Sequence, residues 1–104
     1  MWNTPTLKEL RRLPKLYETE SVPGKEKIIK KHFYLGHCHW FAVEFDGQDT
    51  FFGYVILHGD LSNAEWGYFS FQELKEVAVM GFEVVYDENW SAKPFSRVCF
   101  ELPE

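Results

Sequence analysis

Two apolar runs on either side of an Asp-Gly turn constrain the fold of this chain more than any other feature. Residues 37–45 and 50–58 are rich in aromatic and β-branched side chains, and residues 46–49 separate them. Asp-Gly between two such runs is a strong signal for a β-hairpin. The second run is apolar on both faces, with Phe51, Val55 and Leu57 on one and Phe52, Tyr54 and Ile56 on the other. This pattern predicts an interior strand that is covered on both sides.

Further strands are predicted on both sides of this hairpin. The strand formers within residues 28–35 predict a strand before it. The turn residues 59–63 and the run 65–69 predict a third antiparallel strand after it, so that the sheet is a meander. Alternating side chains predict a strand over residues 82–86 with Phe82, Val84 and Tyr86 on its buried face, and a final edge strand over residues 97–102.

Two capping-box patterns predict helices. Thr6 with Glu9 begins the first, with Pro5 in its first turn and Pro14 as its end. Ser70 with Glu73 begins the second, which runs to about residue 77. The sum is a single α+β domain over residues 1–104, with an antiparallel sheet of about four to six strands and two or three short helices.

The charge of the chain bears on its partners. The formal net charge is −5, and basic residues concentrate only within residues 25–31. A nucleic-acid-binding protein would normally carry a basic stripe, so direct binding to DNA or RNA is not expected. An acidic surface suits a basic protein partner, although the same charge serves simple solubility.

The chain shows no apolar run long enough to span a bilayer and no pattern of a secretory signal, so we expect a cytoplasmic protein without membrane contact. Cys38 and Cys99 are expected to be free thiols, because the cytoplasm is reducing. The sequence has no CxxC pair, and no cofactor is predicted.

Three histidines are candidate metal ligands. On a strand, His37 and His39 would share one face, and a tight hairpin would bring His58 opposite them. Three imidazoles suit zinc or a similar metal. The alternative is that these histidines are half-exposed residues near a strand end. Cys38 would point to the other face, which argues against a Cys-His nucleophile.

Carboxylates offer a second, enzymatic interpretation. Asp46, Asp49 and Asp60 lie where turns favour Asp for local hydrogen bonds. Glu44 and Glu65 lie in predicted strands and could serve as acid, base or metal ligand. Together with the histidines they would make a small metal-dependent hydrolase or nuclease.

The aromatic residues predict a surface for a protein partner. Aromatics make up 18% of the chain, more than a thin sheet domain has to bury, although most of them must form the core. Tyrosine and tryptophan with acidic neighbours are typical of protein interfaces. The predicted patch consists of Asp60, Glu65, Trp66, Tyr68 and Trp90.

Several segments resemble a bacterial family catalogued as DUF twenty-nine fifty-eight. They are Leu16-Tyr17-Glu18-Thr19-Glu20, His32-Phe33-Tyr34-Leu35-Gly36, Trp40, Glu44-Phe45-Asp46-Gly47, Asp49-Thr50-Phe51-Phe52-Gly53, Gly59-Asp60, Asn63-Ala64-Glu65-Trp66-Gly67-Tyr68-Phe69-Ser70 and Glu73-Leu74. The resemblance covers residues 13–90. This sequence departs from the family at His37-Cys38-His39, where relatives tend to carry small or acidic residues, and at His58, where they tend to carry Asn. A metal site on these histidines would therefore be peculiar to this protein.

The resemblance implies no activity. Members of the family accompany plasmids, conjugative elements and phages, which implies an accessory protein of a mobile element, such as an inhibitor of host CRISPR or restriction systems. The leading expectation is a small non-enzymatic binding module that occupies a host nucleic-acid-handling protein, as monomer or homodimer. The alternatives are the metal-dependent hydrolase and a structural subunit that dimerises.

Overall fold

The structure, a computed structural model, describes residues 1–98. Within them lie three short helices and nine antiparallel strands, so the predicted α+β class is confirmed. The helices are α1 (Leu7–Leu10), α2 (Phe71–Glu76) and α3 (Phe95–Val98), and the strands are β1 (Ile28–Ile29), β2 (Lys31–Leu35), β3 (Cys38–Phe45), β4 (Thr50–Ile56), β5 (Glu65–Ser70), β6 (Ala78–Val79), β7 (Phe82–Glu83), β8 (Val85–Tyr86) and β9 (Lys93–Pro94). None of the helices in this range has the length and apolar character needed to cross a bilayer.

The main sheet has five strands in the order β5-β4-β3-β2-β8. Its centre is the predicted hairpin of β3 and β4, which is confirmed. The carboxylate of Asp46 fixes the turn, because it accepts hydrogen bonds from the backbone N–H groups of Gln48, Asp49 and Thr50 at 2.8, 2.8 and 3.0 Å. The remaining strands form two further sheets of two strands each, β1-β9 and β6-β7.

Apolar side chains cover the sheet on both faces. The first cluster includes Leu10, Phe33, Trp40, Phe45 and Phe51, and the second includes Ile29, Phe41, Val43, Ile56 and Val98. Strand β4 contributes to both clusters and lies between β3 and β5. The prediction of an interior, two-sided strand is therefore confirmed.

A β-bulge in β3 reverses the alternation of its side chains. The pairing with β4 shifts between Ala42 and Glu44. As a result Ala42 and Phe45, three residues apart, both lie in the first cluster. An extra residue in one strand has this effect. Phe45 thus enters the first cluster, and Glu44 points away from it.

The two capping predictions are confirmed at their first residues. Thr6 is the N-cap of α1 and forms the full capping box with Glu9, whereas Pro5 precedes the cap and so lies outside the first turn. Ser70 is the N-cap of α2 and accepts a hydrogen bond from the backbone N–H of Glu73 at 3.1 Å.

Asn3 closes the β8 edge of the sheet. Its Nδ2 donates to the carbonyl oxygen of Tyr86 at 2.6 Å, and its Oδ1 accepts from the backbone N–H of Tyr86 at 3.1 Å. The side-chain amide therefore pairs with β8 as the backbone of another strand would.

Two predicted strands differ from the structure. Residues 82–86 are divided between β7, which pairs with β6 in a separate hairpin, and β8 of the main sheet. Phe82 is therefore 70% exposed, while Val84 and Tyr86 are buried as predicted. At residues 97–98 the chain is helical, because Phe95 and Val98 both pack on the second cluster at the spacing of one helical turn. Residues 99–102 of the predicted final strand lie outside the described part of the chain.

The close packing of β3 on Gly53, next to the bulge, can be tested with a matched control. A Cβ at Gly53 would lie 1.9 Å from the carbonyl oxygen of Phe41, whereas one at Gly67, its partner on β5, meets nothing within 4 Å. We expect Gly53→Ala to lower the free energy of unfolding by about 3 kcal/mol or more. Gly67→Ala should change it by no more than about 0.5 kcal/mol. Urea unfolding measures both, and equal effects would contradict the close approach.

Candidate functional site

A buried carboxylate holds the loop before β1 in a fixed shape. Glu44 is buried, with only 3% of its surface exposed to solvent. Its Oε1 accepts from the backbone N–H of Tyr17 at 2.8 Å, and its Oε2 accepts from the backbone N–H of Thr19 at 3.0 Å. The hydroxyl of Thr19 also donates to Oε2. Glu44 therefore anchors the loop and has little capacity left for acid-base chemistry.

The backbone of this loop is strained at Tyr17. Its φ of 73° lies in the left-handed region, which costs a non-glycine residue roughly 1–3 kcal/mol. The hydrogen bond from its N–H to Glu44 holds this conformation. Strained residues concentrate at functional sites, where the surrounding structure holds them in place.

The strained loop displays one tyrosine beside another. Tyr17 is 60% exposed, and Tyr68 on β5 is 56% exposed. A hydrogen bond between their side chains is the main cause that raises the pKa of the Tyr68 hydroxyl, and the charges of Glu44 and Glu20 raise it further. Tyr68 is therefore neutral at physiological pH and keeps its O–H donor.

Both tyrosines line a pocket of about 270 Å³. Its lining consists of Tyr17, Glu20, Lys27, Glu44, Phe52 and Tyr68. The buried ammonium of Lys27 donates to the backbone carbonyl and the hydroxyl of Thr19, the latter at 3.1 Å. Its charge offsets that of Glu44, so the acidic character of this region comes from the exposed Glu18 and Glu20. We call Tyr17, Glu18, Glu20 and Tyr68 the tyrosine surface.

The five residues predicted as one partner patch do not form one surface. Tyr68 belongs to the tyrosine surface, while Asp60 and Glu65 line a separate pocket of about 250 Å³. Trp66 and Trp90 are half-buried and pack against the second cluster. Of the five, Tyr68, Asp60 and Glu65 are well exposed, and they line two different pockets. That these five residues contact a partner stays a prediction.

Both tryptophans carry structural contacts. The ring of Trp66 lies 5.0 Å from that of Phe95, and Trp90 lies 5.0 Å from the ring of His32. The indole N–H of Trp90 donates to the carbonyl oxygen of Ile29 at 2.9 Å. Buried tryptophan usually finds such a partner, so these residues are explained by packing.

Asp60 has the turn role that its position predicts. It caps a short 3-10 turn and accepts from the backbone and hydroxyl of Ser62 at 3.1 and 2.7 Å. Its other oxygen accepts from the amide of Asn63 at 2.6 Å. The hydrogen bonds from Asn63 and Ser62 lower the pKa of this carboxyl, so it is charged at neutral pH.

The histidines assemble differently from the prediction. His39 bonds to His32, with 2.9 Å between His39 Nδ1 and His32 Nε2, and His32 Nδ1 lies 2.8 Å from Asp87 Oδ2. His58 instead lies next to Cys38. Within residues 1–98 no group of three or more His, Cys, Asp or Glu side chains is placed to hold a metal ion. The expected convergence of His37, His39 and His58 is thus replaced by two separate pairs.

Burial controls the protonation of the His32-His39 pair. Burial, together with the charges of His32 and His37, lowers the pKa of His39 to about 4. Burial also lowers the pKa of His32, although the hydrogen bond and charge of Asp87 oppose this. Both rings are neutral at pH 7, which allows His32 to donate to Asp87 and to accept from His39.

Sequence reasoning missed the roles of Tyr17 and of the His32-His39-Asp87 chain. A signal for the first existed, because Glu44 is an acidic residue within an otherwise apolar strand, and a buried carboxylate needs donors. Nothing in the spacing of His32 and Asp87 indicated their contact, which depends on β8 lying beside β2. No family model, curated protein or solved structure matches the chain. The family resemblance therefore stays a prediction.

The anchoring role of Glu44 can be tested by removing its charge. In Glu44→Gln, the amide nitrogen must face a donor of Tyr17 or Thr19 that now has no acceptor. We expect the free energy of unfolding to fall by about 1–3 kcal/mol. The exposed Glu20→Gln is the control, with a change within about 0.5 kcal/mol. Equal urea midpoints for the two variants would contradict the anchoring role.

The histidine pair predicts a pH dependence of stability. Its pKa values are lower in the folded protein than the ordinary 6.5, so the unfolded chain takes up protons first as the pH falls. We expect the free energy of unfolding to decrease between pH 6.5 and about 4, by at most about 1.4 kcal/mol per pH unit for each proton. His39→Gln should flatten this slope, and His58→Asn should not. Urea unfolding at a series of pH values measures it.

Proposed function

We propose that this chain is a small, non-enzymatic protein-binding module whose partner docks on the tyrosine surface. The observation that carries the proposal is the strained Tyr17, which a buried carboxylate holds beside the exposed Tyr68. A fold that needed Glu44 only for stability would gain nothing from the strain or from an exposed ring. Presentation of both rings to another molecule accounts for these features together.

Tyrosines suit this role energetically. A tyrosine has only two side-chain torsions, so it loses little entropy on binding, and it combines a large apolar ring with a hydroxyl. At interfaces, tyrosines are among the residues that contribute most to affinity. Because the loop is already fixed by Glu44, the ordering cost on binding is reduced further.

Charge indicates the kind of partner. The net charge is −5, and Glu18 and Glu20 are exposed next to Tyr17. A partner with arginines at its surface would pair with these carboxylates and place guanidinium groups against the tyrosine rings. The basic groove of a nucleic-acid-handling protein has this chemistry. Direct nucleic-acid binding is not proposed, because an acidic surface repels phosphate.

The narrower role that we propose is inhibition of a host protein, such as a CRISPR or restriction component, on behalf of a phage or other mobile element. Its support is the family resemblance together with the acidic charge. Asp60 and Glu65 lie in a separate pocket, and we propose them as secondary contacts for the same partner.

The proposal predicts which substitutions abolish binding. The partner is first captured from host lysate with the full chain as bait and then purified. Tyr17→Asn tolerates the left-handed backbone and removes the ring, and Tyr68→Ser removes the second ring. We expect each to weaken the Kd for the partner by about thirtyfold or more, the effect of losing about 2 kcal/mol.

The matched control is Trp2→Ser, which removes another exposed aromatic ring. Trp2 precedes Asn3 at the β8 edge, away from the tyrosine surface and from Asp60 and Glu65 on the β5 side. The substitution should leave the Kd unchanged. If Trp2→Ser and Tyr68→Ser weaken binding equally, or if no host protein is captured and host defence is unaffected by expression of the chain, the proposal is wrong.

A further inference from the structure

A larger pocket lies at the open end of the β3-β4 hairpin, away from the turn at Asp46. Its volume is about 490 Å³, within the range of sites that bind small molecules. It is lined by Leu35, Gly36, His37, Cys38, His58, Val79, Met80 and Phe82. The tyrosine surface shares no lining residue with this pocket, so an inference about it is independent of the proposed function.

A thiol and an imidazole meet at the wall of this pocket. The half-buried Sγ of Cys38 accepts a hydrogen bond from the backbone N–H of His58 at 3.3 Å and lies 4.0 Å from His58 Nδ1. This contact contradicts the sequence expectation that strand alternation separates Cys38 from the histidines. The imidazole thus lies beside the thiol, in the arrangement of a general base next to a cysteine nucleophile.

The pair exists because the chain turns sharply after β4. His58 has a φ of 55° and Gly59 a φ of 70°, and the backbone N–H of Gly59 donates to the carbonyl oxygen of His37 at 2.9 Å. Apart from glycine, the left-handed backbone is adopted mainly by Asn, Asp and His, so His58 suits this turn. Without this turn the strand would continue, and the imidazole would leave the side of the sheet that carries Cys38.

Apart from the exposed His37, the side chains in the rest of the pocket wall are apolar. The β6-β7 hairpin contributes Val79, Met80 and Phe82, which are 55%, 93% and 70% exposed. Leu35 continues this surface toward Cys38. Such a wall gains free energy by covering an apolar ligand, and the polar groups at one end would orient it.

We propose that Cys38 and His58 form a nucleophilic pair that captures an apolar α,β-unsaturated aldehyde or ketone bound in this pocket. In the step, His58 takes the proton of the Cys38 thiol, and the sulfur electron pair forms a bond to the β-carbon. The C=C π electrons move to give the enolate, and its α-carbon then takes the proton back from His58. Every atom of thiol and ligand stays in the adduct, so the addition needs no oxidant and no leaving group.

Conjugate addition fits this site better than acyl transfer. Acyl transfer requires N–H donors arranged around a developing oxyanion. At this site, the N–H of His58 is bound to Sγ and that of Gly59 to a carbonyl oxygen. Addition to a conjugated carbonyl needs a thiol, a base next to it and an apolar surface for the hydrocarbon part of the ligand, and the pocket has all three.

The test uses the full chain with trans-2-nonenal as the apolar probe and acrylamide as a small polar one. Cys99→Ser leaves Cys38 as the single thiol. We expect peptide mass mapping to find a single nonenal adduct, attached to Cys38. The nonenal-to-acrylamide rate ratio should exceed that of glutathione by about tenfold or more.

Two variants in the Cys99→Ser background separate the contribution of the imidazole from that of the apolar wall. His58→Asn keeps the left-handed turn and should lower the rates with both probes by about tenfold or more. Phe82→Ser should slow nonenal alone. Urea midpoints confirm that each variant is folded. A rate ratio equal to that of glutathione, or an unchanged rate in His58→Asn, overturns the proposal.

Discussion

The close approach of two backbones at Gly53 is the contact on which the rest of the structure depends. The carbonyl of Phe41 occupies the space that any side chain at Gly53 would need. This contact accompanies the bulge that reverses the alternation of β3. Because of that reversal, Phe45 joins the first cluster and Glu44 turns toward the loop that carries Tyr17. The core on one face and the anchored loop are therefore consequences of one irregularity in one strand pair.

Polar groups are buried in this small domain only where they are satisfied. Glu44 has three donors, and His32 links Asp87 to His39. Within residues 1–98 no buried side-chain nitrogen or oxygen lacks a hydrogen-bond partner. A satisfied buried group stabilises and specifies a fold. Strain and exposure, by contrast, concentrate at Tyr17, His58 and Met80. The positions left for function are thus those with unfavourable local energy.

The sequence predicted the elements that depend on local chemistry. The Asp46 turn, the Thr6 and Ser70 caps and the two-sided β4 follow from short patterns, and all are present. The bulge was not predicted, because an extra residue has no period of its own and depends on where two strands meet. The contacts at the candidate sites were not predicted for the same reason, because they also depend on how distant segments meet. Tyr68 was identified from its residue type, but its neighbour Tyr17 is distant in sequence, and the Cys38-His58 contact depends on a left-handed residue that strand alternation excludes.

The amide of Asn3 has a consequence for assembly. A sheet edge with free N–H and C=O groups is a template on which another chain can add a strand. By occupying both groups of Tyr86, Asn3 removes that possibility at the β8 edge. The sheet then offers its outer β5 side, where Tyr68 and Glu65 lie, as the direction in which it could be extended. If two copies pair through their β5 edges, the Asn3 side chains cover both outer edges of the combined sheet. An open-ended fibre through this sheet is therefore blocked by a single side chain near the amino terminus.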